Sequence, residues 1–246
     1  MPAKLLVSVR SPQEATAALE GGADIVDVKE PARGPLGAAG PGMIAEVTEL
    51  VRERSSATVV SAALGEVGEF VPTCPPLVLQ KSQPDLVKSG LSGLRGGAVS
   101  WQQAWHAFRK QCYVRPGVQW VAVSYADHER SGSPSPVSVF EEGHRMDCPV
   151  LLIDTFQKDG TTLIDWLSAQ KLNQLRQMTR AADMKLALAG QITATVLPQV
   201  LAVDPDIVAV RGAVCESGDR GAAVNSERVR ELATALHQQP AVPAVR

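Results

Sequence analysis

Ile25-Val26-Asp27-Val28-Lys29-Glu30-Pro31 reads as a short strand that carries charge into an interior. In an extended chain alternate side chains point to opposite faces, so Ile25, Asp27 and Lys29 share one face and Val26 and Val28 the other. The valine face needs a cover of helices. The other face then aims a carboxylate and an amine inward. Gly21-Gly22-Ala23-Asp24 closes a helix ahead of the strand, with Asp24 marking the turn, and Pro31 ends it. A glycine-rich loop follows, Arg33-Gly34-Pro35-Leu36-Gly37-Ala38-Ala39-Gly40. A charged pair at the C-terminal end of a strand, below such a loop, points to chemistry; a structural ion pair at a strand rim is the competing reading.

Outward from this strand the same alternation repeats. Leu5 to Val9 is a strand, and Ser11-Pro12-Gln13-Glu14 starts a helix with a capping serine, an early proline and a glutamate three residues past the cap. Pro41 opens a second helix through Ile44, Val47, Leu50 and Val51. Thr58 to Leu64 is the third strand. The segment 65–84 holds Pro72, Pro75, Pro76 and Pro84, so it is either a lid or an altered helix, short or broken. Asp85 to Leu91 is the fourth strand. Trp101, Trp105 and Phe108 follow at helical spacing and read as core packing. Trp120 to Ala126 is the fifth strand, followed by a helix over Val137 to His144. Pro149 to Phe156 is the sixth, and Thr161-Thr162 caps a long helix through Ile164, Trp166, Leu167, Leu172 and Leu175. Lys185 to Ala189 and Ile207 to Arg211 are the last two strands, with a helix around Ala194 to Val203 between them. Ser226 caps a final helix, Val229 to Leu236, and the tail 239–246 is frayed.

Eight such alternations in 246 residues, with no linker or composition shift, predict a single TIM-like (β/α)8 barrel over 1–246. A doubly wound open sheet competes, but no G-x-G-x-x-G follows the first strand.

Composition narrows the function classes. A net charge of −2 provides no basic field for nucleic acid. No apolar run is long enough to span a bilayer, and the N-terminal apolar stretch is too short for a signal segment. Cys74, Cys112, Cys148 and Cys215 form no C-x-x-C pair, which fits free thiols in a reducing cytoplasm. His106, His128, His144 and His237 lack zinc-ligand spacing, and neither G-x-S-x-G nor a Walker loop occurs. The expected partner is a small molecule, with no nucleic acid, membrane, metal or organic cofactor. No stretch marks a decisive interface, which leaves a homo-oligomer open.

In a barrel of this kind active sites form at the C-terminal ends of the strands. Strand two brings Asp27 and Lys29 there, strand four Lys88, and strand six Asp154 with Lys158 in the loop after it. Alternate strands fill the same interior layer, so these groups are placed to meet. A buried lysine sheds its proton readily; the neutral amine attacks a carbonyl and yields an iminium, an electron sink that acidifies the neighbouring C–H bond. Lysines and carboxylates around one point equip a site for aldol or isomerase chemistry, against the alternative of a silent salt-bridge layer. Gly190-Gln191-Ile192-Thr193 and Arg211-Gly212-Ala213-Val214 place glycine just past strands seven and eight, where backbone N–H groups can hold a phosphate. Tyr125 and Asp127, at the end of strand five, either line the site or, for Asp127, cap the surface. Gly90-Leu91-Ser92-Gly93-Leu94-Arg95-Gly96-Gly97 fits no nucleotide motif and reads as a mobile loop.

With these residues assembled, the chain resembles the (5-formylfuran-3-yl)methyl phosphate synthase family of methanofuran biosynthesis. The resemblance rests on Gly21 through Pro31 with Gly34-Pro35-Leu36-Gly37-Ala38, on Leu86-Val87-Lys88-Ser89-Gly90-Leu91, and on Val121 through Asp127. It continues through Leu152-Ile153-Asp154-Thr155-Phe156-Gln157-Lys158-Asp159-Gly160 and Val210 through Cys215. It implies a barrel enzyme, a carbon–oxygen lyase, that joins two glyceraldehyde 3-phosphate molecules into a phosphorylated furfural. It also implies a Schiff base at Lys29, proton acceptance by Lys88, and assistance from Asp27, Asp154 and Lys158. Ser89, Gln191 and the proline-rich segment depart from the family pattern. Two other readings remain: another Schiff-base aldolase of phosphorylated sugars, and a non-catalytic phosphate-binding barrel. A decarboxylase of the orotidine phosphate type fails at Ala32, where its second aspartate would stand.

Overall fold

The computed structural model describes residues 2–69, 83–112 and 114–238. Eight parallel strands close into a barrel in chain order. They are β1 Lys4–Val9, β2 Ile25–Val28, β3 Val59–Glu66, β4 Leu86–Gly90, β5 Gln119–Tyr125, β6 Val150–Asp154, β7 Lys185–Leu188 and β8 Ile207–Val210. The seam closes where β8 pairs with β1, Lys4 opposite Ile207 through Val7 opposite Val210. Around the barrel lie α1 Pro12–Glu20, α2 Pro41–Arg54, α3 Trp101–Gln111, α4 Pro136–Arg145, α5 Leu163–Trp166, α6 Ala169–Ala181, α7 Leu197–Leu201 and α8 Ser226–His237. A 3-10 turn, Val67–Glu69, follows β3. The proline-rich stretch 70–82 and the tail 239–246 lie outside the described residues. Among the described residues no helix is long and apolar enough to cross a membrane.

Side-chain alternation separates two cores. Val26, Val28, Val60, Ala62, Val87, Leu151 and Ile153 face outward into the shell packed by the helices. Ile25, Ala63, Val121, Val123, Leu152 and Ile207 fill the barrel interior. Trp105 and Phe108 are buried in the outer shell, so the aromatic stripe of α3 is core packing. Toward the C-terminal ends of β7 and β8 the inward residues are small: Ala187, Ala189 just past β7, and Ala209. That side of the interior is left partly empty, and the cavity described below opens there.

Several helices begin where a side-chain cap satisfies free N–H groups, while α2 and α7 begin at Pro-containing first turns without one. Ser11 accepts from Glu14 N at 3.2 Å, and Ser100 forms a capping box with Gln103. Several expectations change. The long helix expected after Thr162 is two: α5 stops at Trp166, and Ser168 accepts from Lys171 N at 3.3 Å to cap α6. A serine inside an otherwise periodic run offers this competing hydrogen bond. The last helix is capped by Asn225, whose carbonyl oxygen accepts from Glu227 N and Arg228 N, so Ser226 is its first residue rather than its cap. β2, β4, β6, β7 and β8 are also shorter than expected, with Lys29 and Arg211 standing just past β2 and β8, and the helix expected over Ala194 to Val203 is only α7.

Candidate active site

The inward face of β2 places Asp27 and Lys29 at the C-terminal mouth, as alternation requires. Asp27 is 1% exposed. Its carboxylate accepts from Ser8 Oγ at 3.0 Å, Ser61 Oγ at 2.9 Å and Lys88 Nζ at 2.5 Å. Burial alone would push this carboxyl up; Lys88 and Lys29 outweigh it and hold the group below the usual carboxylate range. A second pair lies across the mouth. Asp154 Oδ1 accepts from Lys158 Nζ at 2.9 Å and from Thr155 N at 2.8 Å. Burial opposes ionisation here too, and Lys158 with Lys29 overcomes it, so Asp154 is also held low.

Lys29 stands between the two pairs. Its Nζ donates to a backbone carbonyl, Pro35 O at 3.0 Å, and to no carboxylate among the described residues. The glycine-rich loop supplies that carbonyl because it folds back over the strand end, with Glu30 N donating to Gly37 O at 2.9 Å. Burial pulls the Lys29 amine down to about 8; Asp154 and Asp27 resist the shift, and Lys158 and Lys88 add to it. The Lys29 amine therefore gives up its proton more readily than an ordinary lysine does.

These groups line one cavity of about 230 Å³, with Leu36, Leu152 and Ala189 as apolar wall. The cavity extends to the ends of β7 and β8, where Gly190, Gln191, Gly212 and Ala213 line it. Gly190 has φ +103°, and a Cβ there would stand 2.9 Å from the Thr155 methyl carbon. Glycine is needed on both counts. The Gln191 amide donates back to Thr161 O, which ties this loop to the one after β6.

Arg211 also lines the cavity, but its guanidinium is committed to the protein. It donates to Arg220 O, Ser8 O, Ala222 O and both oxygens of Glu14. Those five bonds use all its donors. Arg220 also lines the cavity on this side; it is half-buried and donates to Pro31 O at 3.4 Å. Sequence reasoning missed Arg220, since nothing in the loop's composition aims it inward. It missed Glu66 as well. Burial pushes that carboxyl up. The Tyr125 phenol donates to Glu66, as do Ser92 N at 3.0 Å and Ser92 Oγ at 2.7 Å. Gly90 makes the space, because a Cβ on it would lie 2.1 Å from the Glu66 carboxylate. Glu66 and Tyr125 brace the β3–β5 side of the mouth and are not among the residues lining the cavity. Among the described residues no three His, Cys, Asp or Glu side chains gather as a metal site would require.

A closed eightfold barrel carries two lysine–carboxylate pairs around a third lysine that meets no carboxylate among the described residues, and this is the architecture of a TIM-barrel enzyme. A family model described as 4-HFC-P synthase matches residues 5–233. The chain belongs to that family. It is 38% identical to the (5-formylfuran-3-yl)methyl phosphate synthase of Methanopyrus kandleri, over 96% of this chain and 100% of that one. With the synthase of the same name from Archaeoglobus fulgidus it shares 33% identity, over 95% and 99%. Among solved structures, a thiamine phosphate pyrophosphorylase from Pyrococcus furiosus superposes with TM-score 0.56 at 18% identity, covering 95% of this chain and 96% of that one. A 3-hexulose-6-phosphate synthase superposes with TM-score 0.54 at 17% identity, covering 96% and 100%. At such identities these two likenesses concern the fold alone.

Proposed function

We propose that the chain condenses two molecules of glyceraldehyde 3-phosphate into (5-formylfuran-3-yl)methyl phosphate through an iminium at Lys29, as a step of methanofuran-type biosynthesis. The product is the one named for its full-length relatives. The observation that carries the mechanism is the unpaired, buried Lys29 amine, lowered to about 8, between the Asp27–Lys88 and Asp154–Lys158 pairs.

Lys29 adds to the aldehyde of one triose, and loss of water leaves the iminium. Lys88, in contact with Asp27, protonates the hydroxyl that leaves as water when the iminium forms, and the amine so made neutral then takes the adjacent proton to give an enamine. The enamine carbon attacks the aldehyde of the second triose to form the new carbon–carbon bond. Asp154 and Lys158 handle protons on the opposite side. Elimination of one phosphate, ring closure and dehydration then give the furan, and hydrolysis frees Lys29. The sum balances: two trioses yield one product, one phosphate and two waters. The retained phosphate sits at the ends of β7 and β8 against Gly190, Gln191, Gly212 and Ala213. Arg220 adds positive charge, and Arg211 holds that loop in place.

Borohydride reduction in the presence of glyceraldehyde 3-phosphate, read by intact-protein mass, tests this. The wild type should gain a stable adduct that Lys29→Ala lacks, and the released product should absorb in the ultraviolet as a furan aldehyde does. An adduct without furan absorbance would make the protein a plain aldolase. Ligand binding without an adduct would leave a non-catalytic phosphate-binding barrel.

A further inference from the structure

Asp127 is 2% exposed and follows β5 by two residues. It is absent from the cavity wall. Its carboxylate bridges to the next connection, accepting from Phe156 N at 2.7 Å and Gln157 N at 2.9 Å. A buried carboxylate on two backbone N–H groups is a strong, directional anchor. The residue after those two donors is Lys158, whose Nζ reaches Asp154 Oδ1 at 2.9 Å and Thr155 Oγ1 at 3.0 Å. Asp127 is itself held, because its carbonyl accepts from Arg130 N and Ser131 N, both at 3.0 Å, in a tight turn. From the same turn Arg130 meets Asp159 at 2.9 Å and lies 5.0 Å over the Trp166 ring. Lys158 is thus bracketed on both sides by one turn of the β5 loop.

We infer that Asp127 is a positioning residue: it fixes the loop after β6 so that Lys158 meets Asp154 and the pair faces Lys29. This deepens the reading of Lys29 given above and rests on it for its meaning in the reaction. The charged groups acting on Lys29 are Asp27, Lys88, Asp154 and Lys158, and Arg220 acts on Asp154. Releasing the loop moves one of these, Lys158. Lys29 then loses a repelling cation, and Asp154 loses the partner that offsets its charge. Both changes favour the protonated Lys29 amine, so its titration moves upward.

Competitive labelling with acetic anhydride across a pH series, read peptide by peptide by mass spectrometry, reports the Lys29 amine directly. In Asp127→Asn one of the two backbone N–H groups meets an amide NH2 instead of an oxygen. The Lys29 midpoint, near pH 8 in the wild type, should rise by about half a unit or more. Lys158→Met should raise it in the same direction, and the double variant should go no further than Lys158→Met. Should Asp127→Asn fail to fold, Asp127→Glu keeps the charge, displaces the carboxylate and is read the same way. An unchanged midpoint with a lowered melting temperature would make Asp127 a brace of the fold only and overturn the inference. Additive shifts in the double variant would also overturn it. Labelling needs no turnover, so a shifted midpoint beside a failed borohydride trap refutes the Schiff base and leaves the positioning role standing.

Discussion

Lys29 shows how a site can work against the stability of the fold around it. The residue is 8% exposed and its amine is pulled down to about 8, against about 10.4 for a free lysine. Between those values the unfolded chain binds more protons than the folded one, so stability rises with pH through that window. The penalty is fully present below about pH 8 and recedes toward pH 10. Lys29→Met should therefore stabilise the fold at pH 7 by up to about 3 kcal/mol while abolishing the adduct. Chemical denaturation at pH 7 and pH 10 checks this: the gain should be large at the first and small at the second. With the proposed iminium at Lys29, turnover should rise with pH through about 8. The carboxylates titrate in the opposite sense. Asp27 and Asp154 are held low, so the stability they contribute is present at neutral pH and is lost as pH falls through their folded values.

At the scale of elements, each strand is useful because a helix covers its outer face closely. On α4, Gly143 lies against β5, and a Cβ there would come 2.5 Å from the Ala122 Cβ. Gly143→Ala should push α4 off the strand and cost about 1–3 kcal/mol, seen as a lower melting temperature with the Lys29 labelling midpoint unchanged. Helix starts were legible at Ser11, where serine and proline sit in order. The break between α5 and α6 was less so, because Leu167, Leu172 and Leu175 continue an apolar period through it. Ser168 wins there because its hydroxyl caps the second helix while Leu167 stays buried in an extended conformation.

For the whole molecule, closure concentrates at the seam between β8 and β1. Arg211 spans it, joining Ser8 O on β1, Glu14 on α1 and two carbonyls of the loop after β8. Glu14 is 5% exposed and also accepts from Arg10 N and Arg10 Nε. Arg211→Met removes one partner of a buried ion pair and should destabilise the barrel by about 3–5 kcal/mol. Thermal unfolding should stay cooperative at a lower midpoint. A variant as stable as the wild type would show that Arg211 is not the clamp these bonds describe.

The order of strands and helices, the inward turn of Asp27, Lys29, Lys88 and Asp154, and the glycines past β7 and β8 were all readable from residue types and spacing. Periodicity and chain-breaking chemistry are local, and parallel alternation over this length has few closed solutions. The partners of those charges were not readable. That Lys88 meets Asp27 while Lys29 donates to Pro35 O depends on stagger between strands and on a loop folding back. The same holds for the Arg211 guanidinium being taken up by Ser8 O, Glu14 and the loop after β8 while Arg220 also lines the cavity, and for Asp127 reaching the loop that carries Lys158. Each of these pairings joins residues brought together by closure of the barrel, and spacing along a chain carries no record of which side chain reaches which backbone group across it.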